Sequence, residues 1–244
     1  MDLQFLGSGD AFGSGGRFNT CFHVRDRRGA FLIDCGASSM IAIRKFGIDP
    51  NAIRAILITH LHGDHFGGLP FFVLDGQLMS RRTAPLTIAG PPGLRDRLTI
   101  AMETFFPGST KVERRFDVEV RELQPRVAHD VEGVEVRPFV VKHACGAPPF
   151  ALRLTVDGKI LCYSGDTEWV GSLREAAMDA DLFIAETYFF DKQVKYHLDY
   201  ATLARRLPEI GAKRVVLTHM NPGMLARVSE TACEVAEDGM VLTI

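Results

Sequence analysis

The chain has 244 residues, of which 46% are hydrophobic and 24% are charged, the proportions of an ordinary globular protein. Its 28 lysines and arginines nearly balance 30 aspartates and glutamates, so the net charge of −2 gives no support to a polyanion-binding surface. No stretch approaches the roughly 18 apolar residues of a membrane-spanning helix, so the sequence predicts no membrane partner.

The five cysteines are odd in number and irregularly spaced. The opening MDLQFLGSGD has neither a basic segment nor a long apolar run, so it does not resemble a signal peptide. Together these features predict reduced thiols in a cytoplasmic protein. Only Cys145 lies near a candidate ligand, and its default interpretation is a buried thiol.

Strand and helix signals alternate along the first half of the chain. They predict strands at 3–7, 20–26, 29–36, 55–59 and 85–90, and helices at 37–46, 69–80 and 93–106. The segment AILIT at 55–59 is continuously apolar, which is typical of a strand buried on both faces.

The second half continues the same alternation. It predicts strands at 116–123, 133–141, 150–156, 159–164, 181–186 and 214–219, with helices near 170–178 and from about 199 to 207. Asp157-Gly158 between two of these strands is a strong hairpin signal. The simplest packing of this order is two mixed β-sheets with helices outside them.

Five polar residues follow predicted strands at the point where each strand ends. They are His60, His143, Asp166, Glu186 and His219. In layered α/β folds, ligands bind at the carboxyl ends of the strands. One such residue would mean little, but five predict a site along one edge of the sheets.

The stretch ITHLHGDHFGG at 58–68 is the densest part of this pattern. Gly63 within it is expected to let the backbone turn sharply. A single zinc ion takes at most four ligands, so the other candidates would be left without a role. Two ions about 3.5–4 Å apart that share a carboxylate use them better. The stretch supplies four of the candidates, namely His60, His62, Asp64 and His65.

The H-x-H-x-D-H pattern at 60–65, His143, the tetrad at 164–167 (SGDT) and Thr218-His219 together resemble the metallo-β-lactamase-fold hydrolase superfamily over nearly the whole chain. The resemblance implies an α/β fold: a single domain, 1–244, built as an αββα sandwich of two mixed β-sheets with helices on the outer faces. It also implies the ligand sets, which are His60, His62 and His143 for a first metal, Asp64, His65 and His219 for a second, and Asp166 as the bridge.

Two segments narrow the resemblance to the ribonuclease Z-like branch. AETYFFDKQVKYHLDYATLA at 185–204 places Glu186 and His197 where that branch has a glutamate and a histidine facing the metals, and LGSGDAFGSGGRFNT at 6–20 is similar to its opening loop. Transfer-RNA processing members carry a long arm between the third-motif histidine and the bridging aspartate. Here only 144–165 separate His143 from Asp166, so the chain resembles a relative that lacks the tRNA-binding arm.

The resemblance implies a metal-dependent hydrolase with two divalent ions, zinc being the first choice and manganese or iron the alternatives. The expected reaction is phosphodiester cleavage of a small or cyclic phosphodiester or an RNA 3′ end, by attack of a metal-bridging hydroxide. His197 would donate a proton to the departing oxygen, and Glu186 would orient it. Asp64 could also accept the proton of the nucleophile.

Other interpretations remain open from sequence. The same nucleophile attacks carbonyl carbon, so a lactone, thioester or β-lactam hydrolase is the main alternative, and a non-catalytic binding module is a third. His197 has a structural interpretation too, as the residue flanking a helix that Asp199 caps. The expected partners are a small-molecule or short nucleic-acid phosphodiester substrate and, as in relatives, a second copy in a homodimer.

Overall fold

A computed structural model describes all residues, 1–244. The two mixed β-sheets that the sequence predicts are present, and each has seven strands. The strands in chain order are β1 (Asp2–Gly7), β2 (Cys21–Asp26), β3 (Gly29–Ile33), β4 (Ile53–Leu57), β5 (Leu86–Gly90), β6 (Val118–Glu122), β7 (His129–Val131), β8 (Val134–Val140), β9 (Phe150–Val156), β10 (Lys159–Tyr163), β11 (Leu182–Glu186), β12 (Val215–Thr218), β13 (Glu234–Val235) and β14 (Val241–Thr243). The first sheet has the order β14-β1-β2-β3-β4-β5-β6, and the second has the order β13-β12-β11-β10-β9-β8-β7.

Seven α-helices connect or follow these strands. They are α1 (Ser39–Lys45), α2 (Gly63–Phe66), α3 (Leu69–Leu78), α4 (Leu94–Phe105), α5 (Gly171–Ala177), α6 (Tyr200–Ile210) and α7 (Pro222–Leu225). None of them combines the length and the apolar character that crossing a membrane requires.

Three apolar cores hold the layers of sheets and helices together. The middle core lies between the two sheets and contains Phe22 of the first sheet and Phe150 of the second, both fully buried. A second core packs helices such as α3, through Phe72, against the outer face of the first sheet, and a third packs α6, through Leu203, against the second sheet. Complete burial of each such side chain stabilises the fold by about 1.5–3 kcal/mol, which explains why the sandwich is the preferred packing.

Strand direction brings the candidate site residues to one edge. Strands β3 to β6 run parallel to one another in the first sheet, and β10 to β13 do so in the second. The backbone N–H of Phe150, at the start of β9, donates to the carbonyl of Thr59 just beyond β4, at 2.9 Å. This hydrogen bond joins the two sheets at the edge where β4, β10, β11 and β12 end.

Most of the predicted strands and helices are present, although their ends differ by a few residues. A few short elements of the structure are not predicted. The hairpin at Asp157 and Gly158 is confirmed, since both residues have the positive φ of a type I′ turn (50° and 78°). The helix predicted to stop near residue 207 continues past Pro208 to Ile210, because it ends at Gly211 in the left-handed conformation. Strands β7, β13 and β14 and helices α2 and α7 are not predicted, since each has four residues or fewer.

Candidate metal centre

The histidine cluster lies in an extended segment after β4 and in the single-turn helix α2. His62 keeps an extended backbone at the N-terminal cap of α2, whereas Asp64 and His65 lie within the helix. The sharp turn predicted at Gly63 is wrong, because Gly63 is helical and a β-carbon there would meet nothing within 4 Å. The backbone does come close at Gly68, where a β-carbon would lie 2.3 Å from the carbonyl oxygen of Gly36.

The first set of converging side chains is the triple-histidine group, which consists of His60, His62 and His143. One ligand atom from each lies within 4.8 Å of those of the other two. His143 Nδ1 donates to the carbonyl of Tyr196 at 2.9 Å, so its Nε2 carries the lone pair, and that atom faces His62 Nδ1 at 3.0 Å. Burial and the neighbouring His65 hold the pKa of His60 well below its usual range, which leaves His60 neutral.

The second set is the mixed group, which consists of Asp64, His65, Asp166 and His219. Its ligand atoms also lie within 4.8 Å of one another, and all four residues are buried. His65 Nε2 lies 3.3 Å from both Asp64 Oδ2 and His219 Nε2. The mixed group therefore combines two carboxylates with two imidazoles in the interior of the protein.

Asp166 lies between the two groups. Its Oδ2 atom is 3.9 Å from the Nε2 atoms of both His60 and His143, and 3.4 Å from His219 Nε2. Its Oδ1 atom is 3.2 Å from His65 Nε2. The carboxylate thus faces both groups at once, which is the arrangement that a shared ligand requires.

The donor set fits divalent metal ions. His60 Nε2 is a buried polar atom without a hydrogen-bond partner, and Asp166 Oδ1 faces only the imidazole nitrogen of His65 at 3.2 Å. Burial of such atoms costs free energy unless a partner satisfies them. Two pairs of imidazole nitrogens also face each other, namely those of His143 with His62 and of His65 with His219. Imidazoles and carboxylates without a thiolate suit zinc, manganese or iron.

The electrostatics of the mixed group also favour a cation. Burial alone raises the pKa of Asp64 and Asp166, but the charges and hydrogen bonds of His65 and His219 outweigh it and hold both carboxyl pKa values well below their usual range. In return, the carboxylates overcome burial and raise the pKa of His219 to about 9. The group thus attracts positive charge, and a divalent ion can take the place of the histidine protons.

Asp34 supports the mixed group, and the sequence analysis did not identify it. Asp34 is fully buried, and its Oδ2 atom bonds His65 Nδ1 at 2.6 Å. The Thr59 backbone N–H and hydroxyl donate to the two Asp34 oxygens, and the same hydroxyl lies 3.1 Å from His60 Nδ1. A carboxylate behind a ligating histidine fixes its tautomer. The available signal was an acidic residue directly after β3, in FLIDCG.

Glu186 and His197 form a hydrogen-bonded pair beside both groups. Glu186, at the end of β11, is fully buried; its Oε1 atom bonds His197 Nδ1, and its Oε2 atom accepts from the Thr167 backbone N–H at 2.6 Å. The His197 ring centroid lies 5.0 Å from that of His143 and 6.3 Å from that of His219. His197 remains partly exposed, with 24% of its side chain accessible. The predicted cap of the next helix is also present, since Asp199 accepts from Thr202 N.

The surroundings raise the pKa of both members of the pair. Burial and the charge of Asp166 raise the pKa of Glu186 to about 7. Burial alone lowers the pKa of His197, but the hydrogen bond and the charge of Glu186 raise it above its ordinary value. Tyr188, which the sequence analysis did not single out, packs its ring against His197 with 4.7 Å between centroids. His197 is therefore a partly exposed imidazole with a raised pKa beside the cluster.

Comparison with known proteins identifies the family. Residues 1–241 match the family model described as Anti-Pycsar protein Apyc1. The chain belongs to the Apyc1 family. The Apyc1 match covers strands β1 to β13 and every residue of the triple-histidine and mixed groups.

Individual relatives agree with this assignment. Ribonuclease Z of Bacillus thuringiensis (strain Al Hakam) is 26% identical over 273 aligned positions, which cover 91% of this Apyc1-family chain and 89% of the relative. The crystal structure of human tRNase Z, short form (ELAC1), is 30% identical with a TM-score of 0.82, covering 100% of this chain and 99% of the other. A diphosphatase of the PhnP family, 18% identical with a TM-score of 0.80 over 100% and 97% of the two chains, shares the fold.

Three predictions are thereby confirmed. The fold is that of the metallo-β-lactamase-fold hydrolases, the chain is ribonuclease Z-like, and the protein is a metal-dependent hydrolase. The clusters of histidine and aspartate support the binding of divalent metal ions.

Proposed function

We propose that this Apyc1-family protein is a dinuclear phosphodiesterase that acts on a small or cyclic phosphodiester, or on a short RNA 3′ end. The observation that carries the proposal is the position of the Glu186–His197 pair beside two ligand groups that share Asp166. Ligand atoms of Glu186 and His197 lie within 4.8 Å of those of Asp166 and His219, so the pair is within reach of a substrate bound at the shared carboxylate.

In this proposal the triple-histidine group would hold one divalent ion and the mixed group a second, with Asp166 as a ligand available to both. Zinc is the first choice, with manganese or iron as alternatives, because every ligand is an imidazole or a carboxylate. When bound, such ions lower the pKa of water from 15.7 to about 7 and offset the charge of the phosphodiester.

The protein's own residues handle the protons. His197 donates from Nε2 to the departing oxygen, because Nδ1 is bonded to Glu186. Glu186 sets the tautomer and keeps the imidazolium favourable, as its effect on the pKa of His197 indicates. Asp64, whose Oδ2 atom lies 3.1 Å from His219 Nε2, would accept the proton of the attacking water.

The structure of the segment between His143 and Asp166 indicates the substrate class. The hairpin of β9 and β10 occupies most of this segment and pairs with β8 and β11 in the second sheet, so no residues there project as an arm. With a net charge of −2, the surface offers little general attraction for a long polyanion. We therefore place small or cyclic phosphodiesters ahead of intact RNA.

The carboxyl-derivative hydrolase is not favoured. The relatives with substantial identity are named ribonuclease Z and tRNase Z, names that denote phosphodiester cleavage of RNA by those proteins. The Glu186–His197 pair also fits an alcohol leaving group, which must be protonated as it departs from phosphorus.

The proposal is tested with zinc-loaded protein and three substrates: a phosphodiester with an alcohol leaving group, a bis-aryl phosphodiester and an aryl carboxyl ester. We expect two metal ions per chain and faster hydrolysis of both phosphodiesters than of the ester. His197→Ala should lower kcat for the alcohol-leaving substrate about 100- to 1,000-fold, because an alkoxide cannot depart without a proton. The effect on the bis-aryl substrate should be smaller, since an aryl oxide departs unaided.

The matched control is His129→Ala on β7, which removes an imidazole that bonds only the backbone of Gln124. It should leave all three rates within about twofold of wild type. Preferential hydrolysis of the ester, unaffected by His197→Ala, would instead establish the acyl hydrolase. Fewer than two metal ions per chain would contradict the dinuclear site.

Three further predictions accompany this proposal. We propose that residues 1–244 act as one domain, because each ligand group takes side chains from both sheets. The homodimer stays a prediction. The cytoplasmic location also stays a prediction, and the five free cysteines are consistent with it.

A further inference from the structure

The turn before His197 contains a residue in the left-handed backbone conformation. Tyr196 has φ +75°, and Val194 pairs with His197 through an isolated antiparallel bridge. Lys195 and Tyr196 are therefore the central residues of the turn, and only the second has positive φ. This is the type II pattern, which favours glycine at that position. A tyrosine there is strained and persists only if its surroundings hold it.

Two hydrogen bonds hold Tyr196, one on each side of its α-carbon. Its backbone N–H donates to Glu168 Oε2 at 2.9 Å. Its carbonyl accepts from His143 Nδ1, also at 2.9 Å. The residue thus connects Glu168 to an imidazole of the triple-histidine group, and it directly precedes His197.

Glu168 is itself anchored at the edge of the sheets. Its Oε1 atom forms an ion pair with Lys142 Nζ at 2.8 Å, and its backbone N–H donates to the Lys142 carbonyl at 3.2 Å. The Lys142 backbone N–H in turn donates to Thr167 Oγ1 at 3.0 Å. Glu168 is therefore fixed to the segments that carry His143 and Asp166, independently of the turn that it holds.

We propose that Glu168 is a positioning residue that holds the 194–197 turn in its left-handed form and thereby sets the direction of both His143 and His197. The inference rests on the proposed function for its kinetic part. Glu168 touches neither ligand group and acts only through Tyr196.

Two consequences follow for the site. The Tyr196 carbonyl selects the His143 tautomer with hydrogen on Nδ1, which leaves Nε2 free to ligate. The turn also determines where the His197 ring lies, because His197 is the last residue of the turn. Without the Glu168 acceptor, no hydrogen bond to the Tyr196 N–H opposes relaxation of the turn, and both imidazoles lose their defined placement.

The test uses full-length zinc-loaded protein with three variants: Glu168→Ala, Glu168→Gln and the double variant Glu168→Ala with Tyr196→Gly. Glu168→Ala should lower kcat about tenfold with little change in KM, and should speed zinc release to a chelator by a similar factor. Glu168→Gln retains an acceptor oxygen and should stay within about threefold of wild type. The double variant should recover most of the loss, because glycine adopts positive φ without strain.

A readout independent of catalysis is the imidazole tautomer of His143 in metal-free protein, observed in long-range ¹H–¹⁵N NMR spectra, because a metal ion on Nε2 would itself fix the hydrogen on Nδ1. Wild type and the double variant should show one tautomer, with hydrogen on Nδ1, whereas Glu168→Ala should show a mixture. The control is Glu175→Ala, which removes a glutamate paired with Arg126 at the surface of α5. It should change neither zinc release nor the spectra.

Several results would overturn the proposal. A raised KM with unchanged kcat in Glu168→Ala would show that Glu168 contacts substrate, since it lines a cavity of about 340 Å³ beside His197. If the double variant did not recover, Glu168 would not act through the backbone of Tyr196. If the protein hydrolysed no phosphodiester, only the proposed function would fail, because zinc release and the His143 tautomer would still test Glu168.

Discussion

The triple-histidine group and the mixed group differ in how the fold supports them. In the triple-histidine group only His60 is buried, whereas all four members of the mixed group are. His143 is oriented by a backbone carbonyl in a surface turn. His65 is oriented by Asp34, which is itself fully buried between the strands.

This difference indicates a division of labour across the site. Interior carboxylates lie behind or within the mixed group, so an ion held there would exchange slowly with solvent. The triple-histidine group lies at the accessible side, near His197 and the adjoining cavity. We expect its ion to be the more exchangeable of the two and the one nearer to the incoming substrate.

The strongest way to break this comparison is to remove the residue that both groups share. Asp166→Ala should lower kcat/KM by about a thousandfold or more, because the ligand facing both ions is lost and each tenfold corresponds to about 1.4 kcal/mol. Bound metal should fall from two ions per chain to one or none, measured by elemental analysis of the dialysed protein. Asp96→Ala, at an exposed position on α4, is the control and should keep both ions.

If Asp166→Ala retained two ions and most of its activity, the two groups would be independent sites. The sharing that the distances indicate would then be wrong, and the comparison would have to be made between two separate mononuclear centres.

A smaller effect should come from Asp34, which supports the mixed group and not the triple-histidine group. Asp34→Asn removes the charge behind His65 and should weaken metal binding to the mixed group and lower kcat/KM about 10- to 100-fold. Competition with a chelator should show that only the tighter of the two ions is affected. Asp26→Asn is a matched change, since Asp26 is a buried carboxylate that pairs with Arg54 away from the site.

Asp26→Asn should lower the free energy of unfolding while leaving both metal affinities unchanged. Equal weakening of both ions in Asp34→Asn would contradict the view that Asp34 serves the mixed group alone.

The smallest expected effect concerns a histidine outside both groups. Burial, with a contribution from Arg25, lowers the pKa of His23 on β2 from 6.5 to about 4. Between these values the unfolded chain binds a proton that the folded chain does not, so the free energy of unfolding falls as the pH falls. At pH 5 this amounts to about 2 kcal/mol, at about 1.4 kcal/mol per pH unit.

His23→Leu should remove this loss, so that its unfolding free energy changes less between pH 7 and pH 5 than that of wild type. Urea titrations of metal-free protein at the two pH values measure the difference. Equal changes in wild type and variant would assign the acid sensitivity to the histidines of the two ligand groups instead.

Much of the site could be predicted because its members follow strands. His60, Asp166, Glu186 and His219 come at or just after the ends of β4, β10, β11 and β12, where apolar runs stop abruptly in the sequence. Parallel strands bring such positions to one edge, so a local pattern was enough to predict a long-range cluster.

The supporting residues were harder to predict, for physical reasons. Asp34 differs from an ordinary acid after a strand only through its contact with His65, which is 31 positions away. The left-handed Tyr196 has no signal in the sequence KYH, because glycine or asparagine would be the usual indication of positive φ. Strands of two or three residues, such as β13 and β14, are too short to show alternation.

The hydrogen bond from Phe150 to Thr59, described above as joining the edges of the two sheets, has a consequence for assembly. Each ligand group takes residues from the segment after β4 and from loops of the second sheet, so an ion bound there acts as a cross-link between the halves of the sandwich. By mass action, a higher ion concentration then favours the form in which the two halves of the sandwich are packed together. A low metal concentration would thus weaken the packing between the two halves as well as the hydrolytic activity.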